Sequence, residues 1–328
     1  MKPSEIPVLV LGFNRPELMR TLIKRLAEVR PMKIYFSVDG PRQGIKADEE
    51  LVAEVQRCVH LIDWDCNVQT LFRPFNIGLK SAVIQSLDWI FNNEEHAIIL
   101  EDDCHPIPEF FDFCAMTLTR YANESKIMQI SGNCFVPISD LNNSIYYFSS
   151  LNDIWGWATW RRAWLKFERT VPPHDELEVQ NRIQKYFQNH EIEKWFSRYL
   201  REAASNESQV WSTQWTLTLI NNAGLTVVPQ TNLVTNVGFI SDATHMTSNS
   251  FKRYSEFAPK KIEAKQIPIE IIRNEQLDLQ RFSLIKATDL NLRVSSRIRT
   301  SIRQIALDLF PKPIIVWVRV LKKRMTLK

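Results

Sequence analysis

Apolar positions in the first hundred residues recur in two alternating rhythms. Residues 8–13 form a short continuous apolar run, the pattern of a strand buried on both faces. Beyond it Leu18, Leu22, Leu26 and Val29 fall on one face at helical spacing, while Asn14 with Glu17 makes a capping-box pattern and Pro16 suits a first turn. Residues 34–38 form the next apolar run and end in Asp39-Gly40-Pro41, a turn signal. A helical stretch over 48–60 precedes a third strand at 67–71, and Leu79, Val83, Leu87 and Ile90 mark another helix before the apolar run 97–100. Strand starts near 8, 34, 67 and 97 predict an α/β fold, with a mostly parallel sheet and helices on both faces.

Ligands of such sheets bind where the carboxyl ends of the strands open onto loops. The polar residues there are Asn14 and Arg15, Asp39, Arg73 and Asn76, and then Glu101, Asp102 and Asp103. From Tyr146 the pattern changes to aromatic-rich segments, a long polar helix over 176–204, and short strands at 225–228 and 232–237. From about Glu256 the chain becomes rich in Lys, Glu and Ile, and then basic, so three segments are expected: 1–145, 146–255 and an extension over 256–328.

Composition sharpens this picture in a few places. With 328 residues, 45% of them apolar, the chain can build a sizeable core, which excludes disordered and disulfide-stapled classes. The net charge of +4 is unevenly spread: residues 293–328 hold ten Lys or Arg against Asp308, leaving residues 1–292 with a net charge of −5. An acidic body with a basic tail is unlike a nucleic-acid binder, so no nucleic-acid partner is expected. The tail interleaves its cations with Ile298, Ile305, Leu307, Phe310, Trp317, Val320 and Leu321, the composition of a contact with an anionic membrane surface. Five Cys form no C-x-x-C pair, neither a signal-peptide pattern nor an apolar run long enough to span a bilayer occurs, and a cytoplasmic protein, peripheral at the inner face of the cell membrane, is expected.

The sharpest chemistry is Glu101-Asp102-Asp103 after the apolar run 97–100. Adjacent carboxylates at the end of a buried strand repel one another and lose solvation unless a cation offsets them, and hard oxygen donors suit Mg²⁺ or Mn²⁺. Alternation points Glu101 and Asp103 one way and Asp102 the other. At this strand end a haloacid-dehalogenase-type phosphatase would need D-x-D where this chain has adjacent Asp residues, and the Cys104-His105 pair lacks the ligand spacing of a zinc site. Neither phosphate-cradling glycine motif occurs, and eight Gly leave little room for one, so metal and basic side chains must hold any phosphate.

In chain order, VLVLGFNRPELMRTLIKRL, YFSVDGPR, RPFNIGLKSAV, AIILEDDCHPIPEFFDF, ISGNCF and WGWATWRRAW resemble the GT-A nucleotide-sugar glycosyltransferases. The resemblance spans about residues 6–246 and is to a bacterial branch related to the eukaryotic N-acetylglucosaminyltransferase that begins complex N-glycan branching. It implies a GT-A, Rossmann-like sheet whose first segment, 1–145, binds the nucleotide sugar and whose second, 146–255, binds the acceptor. It further implies Asp103 as ligand of Mn²⁺ or Mg²⁺, Asp102 on the ribose hydroxyls, Glu101 toward the donor sugar, Asp39 on the uracil N–H, and Arg15 on phosphate. Asn76 and Gly78 would line the nucleotide pocket, and His245 would complete the metal or diphosphate site.

The Trp-rich stretch 155–164 divides in two. Trp155 and Gly156 are expected at the site, since aromatic faces stack on sugar rings, whereas Trp157, Trp160 and Trp164 lie at helical spacing and are expected in the core. One departure stands out: where the eukaryotic relative carries a carboxylate general base, this chain has Ser212, Thr213 and Gln214 between Trp211 and Trp215. Glu207 and Asp153 are the alternative bases. The resulting expectation is a metal-dependent enzyme moving a sugar from a UDP-sugar to a hydroxyl of a glycan or glycolipid acceptor. Two alternatives are a sugar-nucleotide pyrophosphorylase, whose opening loop would be richer in glycine than residues 12–16, and a non-catalytic sugar-binding protein on a decayed transferase scaffold.

Overall fold

The first strand, β1 (Val8–Gly12), is buried along nearly its whole length and runs parallel to β2 (Lys33–Val38) on one side and β4 (His96–Glu101) on the other. The structure is a computed structural model that describes residues 1–136, 143–170, 176–204, 211–238 and 258–284. Helix α1 (Pro16–Val29) returns the chain from β1 to β2, α2 (Lys46–Arg57) leads from β2 to β3 (Asn67–Phe72), and α3 (Leu79–Asn93) from β3 to β4. These βα units form the predicted parallel half of the sheet, β3-β2-β1-β4.

Past β4 come the short β5 (Cys104–Pro106), α4 (Pro108–Arg120), β6 (Ile127–Ser131), β7 (Tyr146–Ser149), β8 (Trp157–Trp160) and the one-turn α5 (Arg161–Trp164). Helices α6 (Glu176–Phe187), α7 (His190–Ala204) and α8 (Ser212–Asn221) precede β9 (Leu225–Pro229) and β10 (Val234–Asn236). Among the described residues the sheet has eight strands in the order β3-β2-β1-β4-β8-β6-β9-β7, with β8 and β7 antiparallel to their neighbours, and β5 pairs with β10 in a separate ribbon. The fold is therefore α/β, a mostly parallel sheet with helices on both faces.

Alternation within the strands sorts side chains between two cores. Val8, Val10, Ile34, Phe36, Ile98 and Leu100 face α1, α2 and α4, whereas Leu9, Leu11, Tyr35, Ala97 and Ile99 face α3 and α8. The Phe residues of F-F-D-F, Phe110, Phe111 and Phe113, fill the first core. Residues Met1–Arg281 form one compact unit and Phe282–Lys328 a second, of which only 282–284 are described. Within the first unit, bridges Ser144 to Gln266 and Phe148 to Arg273 lay the chain along the β7 edge. There the fully buried Asp278 accepts from Ser150 Oγ at 2.7 Å and Arg273 Nε at 2.7 Å.

Three local readings are corrected. Asn14 does not cap α1: Arg15 is the cap residue without a side-chain cap bond, because Asn14 Nδ2 donates instead to the buried Asp48 at 2.9 Å. Trp157 and Trp160 lie on a strand, not a helix, and face opposite cores as strand alternation requires; with Trp164 they are buried, as expected. The long helix over 176–204 is two helices, broken at Gln188, whose φ of 51° is left-handed, and restarted where Asn189 Oδ1 accepts from Ile192 N. All five cysteines are free, and among the described residues no helix is long and apolar enough to cross a membrane.

Candidate nucleotide-sugar site

Parallel pairing brings the ends of β1, β2 and β4 side by side, so residues far apart in the chain share one cavity of about 220 Å³. Its lining includes Arg15 beyond β1, Ser37 and Asp39 at the end of β2, Arg73 beyond β3, and Glu101 and Asp102 at the end of β4. Asn76, Leu79 and Ser86 close it from the loop and first turns of α3.

Asp39 is held rigidly. Its Oδ1 accepts from Gly40 N at 2.9 Å and Ile77 N at 3.2 Å, and its Oδ2 accepts from Asn76 Nδ2 at 2.9 Å, while Asn76 Oδ1 accepts from Gly78 N. The loop can lie this close because residue 40 has no side chain: a Cβ there would be 2.4 Å from the Phe75 backbone. Arg73 donates to Ser37 Oγ at 3.0 Å and Ser86 Oγ at 3.3 Å, and burial lowers its pKa. The sequence signal for this group is Ser37, a single polar residue inside the apolar run 34–38. Arg42 and Asn14 both bond Asp48, whose carboxyl the Arg42 hydrogen bonds hold well below the usual carboxylate range.

The acidic triplet is spanned by one arginine. Arg15 Nε donates to Asp102 Oδ2 at 3.2 Å, its Nη2 to Asp102 Oδ1, and its Nη1 to Asp103 Oδ2 at 3.0 Å. Burial, with repulsion from its two neighbours, pushes the Glu101 carboxyl up to about 8, and burial pushes Asp102 up to about 6 against the pull of Arg15. With Glu101 mostly protonated at neutral pH, Asp102 and Asp103 still outweigh, among the described residues, the one guanidinium that bonds them. Asp103 is reached from the far end of the fold as well: Asn236 Nδ2 donates to its Oδ1 at 3.4 Å, Val237 N to its carbonyl at 2.8 Å, and a Cβ on Gly238 would lie 2.3 Å from Oδ2.

These donors fit Mn²⁺ or Mg²⁺. Among the described residues no three His, Cys, Asp or Glu side chains converge as a ready-made cage. Mg²⁺ is commonly held by one or two carboxylates together with substrate phosphates, and Asp103 offers such a carboxylate.

The structure thus gathers Arg15, Asp39, Asn76, Glu101 and Asp102 on one cavity, with Asp103 joined through Arg15. Gly156 has φ 67°, accepts from Gly132 N at 2.9 Å and packs on Val234, at the start of the strand that ends at Asn236. Trp155 packs on the core and meets Phe135 edge to face at 5.6 Å. Neither lines the cavity, and nor does Asp153, which pairs with the fully buried Arg281. Gln214 and Thr213, between Trp211 and Trp215, are buried, and the two Trp side chains pack on Trp157. Glu207, His245 and the basic stretch 293–328 lie outside the described residues.

No protein-family model matches the chain, and no curated protein matches it. Solved structures do. A mannosyltransferase from Pyrobaculum calidifontis, in complex with GDP-Man and Mn²⁺, is 10% identical with a TM-score of 0.37 over 89% of this chain and 88% of that one. A UDP-glucose pyrophosphorylase complexed with UDP-glucose is 10% identical with a TM-score of 0.31 over 51% of this chain and 81% of that one. A 4-diphosphocytidyl-2C-methyl-D-erythritol synthase from Anaerococcus prevotii is 9% identical with a TM-score of 0.31, covering 57% and 85% of the two chains.

Proposed function

We propose that the chain is a glycosyltransferase using a nucleotide sugar, with UDP-sugar as donor, a divalent metal, and a hydroxyl of a glycan or glycolipid as acceptor. One observation carries this reading: Arg15, Asp39, Glu101 and Asp102 converge on a single cavity at the carboxyl ends of parallel strands, with Asp103 at its edge. That is where open α/β sheets bind ligands. An acceptor for a base N–H, a fork for phosphate and carboxylates for hydroxyls or metal are the groups a nucleotide sugar needs.

Each residue has a role in this scheme. Asp39, fixed by Gly40, Asn76 and Ile77, accepts from the base N–H with a lone pair left over. Asp102 accepts from the ribose hydroxyls, Glu101 faces the donor sugar and Arg15 binds phosphate. Asp103, steadied by Asn236, is the metal's protein ligand, with His245 as a second candidate. The metal, when bound, neutralises charge on the departing diphosphate.

Residues 146–255 supply the acceptor side, with Trp155 and Gly156 at its border and Glu207, rather than the Arg281-paired Asp153, as the candidate to take the acceptor proton. The sugar is a hexose or N-acetylhexosamine, and the basic tail meets an anionic membrane surface.

Asp103→Ala is expected to abolish UDP-sugar turnover at unchanged melting temperature; near-normal transfer or hydrolysis in that variant would overturn the metal role. A thermal-shift panel of UDP, GDP and CDP sugars with and without Mn²⁺ tests the donor, and stabilisation by GDP alone would refute the base role of Asp39. Release of pyrophosphate from UTP and a sugar phosphate would instead identify a pyrophosphorylase.

A further inference from the structure

The cations around the cavity are not equally available. Arg42 is paired with Asp48, and Arg73 bonds Ser37, Ser86 and the Ala82 carbonyl. Among the described residues Arg15 alone offsets the triplet, and it does so across two successive acids, with Asp102 gripped through both oxygens and Asp103 through Oδ2. A divalent ion ligated by Asp103 must therefore approach a carboxylate whose oxygen already accepts from a guanidinium 3.0 Å away. Two cations on one carboxylate repel each other and compete for its lone pairs. The partners also differ in freedom, since the Arg15 side chain is 42% exposed and that of Asp102 only 2%. The arginine is the member of the pair that can swing away.

We propose that Arg15 is a tethered counter-ion that shares Asp103 with the metal. In the ligand-free protein it occupies Asp102 and Asp103 and lowers their affinity for a divalent ion. A diphosphate, which offers the fork a more highly charged bidentate partner, draws Arg15 off the acids and opens Asp103 to the ion. Metal and nucleotide then bind with a coupling that includes Arg15, in addition to any direct bond between them. The diphosphate half of this proposal rests on the nucleotide-sugar reading of the site; the counter-ion half concerns the metal alone.

The test is titration of Mn²⁺ into the nucleotide-free full chain, followed by electron paramagnetic resonance of the free ion, for wild type, Arg15→Met and Arg15→Lys. Arg15→Met should tighten Mn²⁺ binding about fivefold, the scale of a partly exposed ion pair. Arg15→Lys, a point cation that cannot span both acids, should fall between. In the same proteins, UDP affinity without metal should drop in Arg15→Met, and the gain in Mn²⁺ affinity on adding UDP should shrink. Unchanged or weaker Mn²⁺ binding in either variant, with a wild-type circular dichroism spectrum, overturns the counter-ion. Tighter Mn²⁺ binding in Arg15→Met together with no UDP binding by wild type keeps the counter-ion and overturns the nucleotide reading.

Discussion

Asp39 shows how a loop makes a reagent of an ordinary turn residue. Three donors from residues 40, 76 and 77 fix its carboxylate, and removing one of them should loosen it without unfolding the sheet. Asn76→Ala is therefore expected to weaken UDP binding about fivefold, as befits one lost hydrogen bond of about 1 kcal/mol, with little change in melting temperature. Isothermal titration would measure it, and an unchanged affinity would remove Asp39 and its loop from the binding site. At this scale the sequence is a partial guide. The acidic triplet is legible because charge following a buried apolar run needs a reason, whereas the grip of Arg15 on it is not, since the partners are 87 and 88 residues apart and meet only because β1 pairs with β4.

Elements were most legible where one period runs unbroken for several turns, as in α1 and α3, and least where two periods fit the same few residues. Trp157, Trp160 and Trp164 satisfy helical spacing, yet the first two sit on a strand between β4 and β6, because sheet pairing outweighs a three-point pattern. Ends of elements carry their own chemistry. Helix α8 closes with Gly224 N donating to Leu219 O at 2.8 Å and Ala223 N to Ile220 O at 3.2 Å, which puts exposed Ala223 at φ 48°. Helices that end this way favour glycine at that position because a Cβ opposes left-handed backbone. Ala223→Gly is expected to stabilise the protein by about 1 kcal/mol in urea unfolding; a loss of stability would contradict the cap geometry.

For the whole molecule, the parallel half of the sheet followed from the recurrence of strand and helix, but the antiparallel insertion of β8 and the chain laid along the β7 edge did not, since both depend on contacts between distant segments. One consequence of burial is a pH response of the fold. His96, opposite Trp160 at the start of β4, has its pKa lowered from 6.5 chiefly by burial, with Glu94 and Glu95 opposing and the N-terminus adding. The folded state therefore resists a proton that the unfolded chain accepts, so the histidine costs nothing above pH 6.5 and destabilises progressively as pH falls from there through its lowered value. His96→Gln should flatten the acid side of the melting-temperature profile relative to wild type, and parallel profiles would show that other groups govern it.

Asn236 joins the two ends of this architecture through one amide, whose Nδ2 touches Asp103 while its Oδ1 accepts from Gly238 N at 2.9 Å. Whatever alters the charge on Asp103 is felt by that amide and passed to a backbone N–H two residues on. The ¹⁵N resonance of Gly238 is thus a built-in gauge of the carboxylate, readable at equilibrium, with no turnover and no label beyond the isotope.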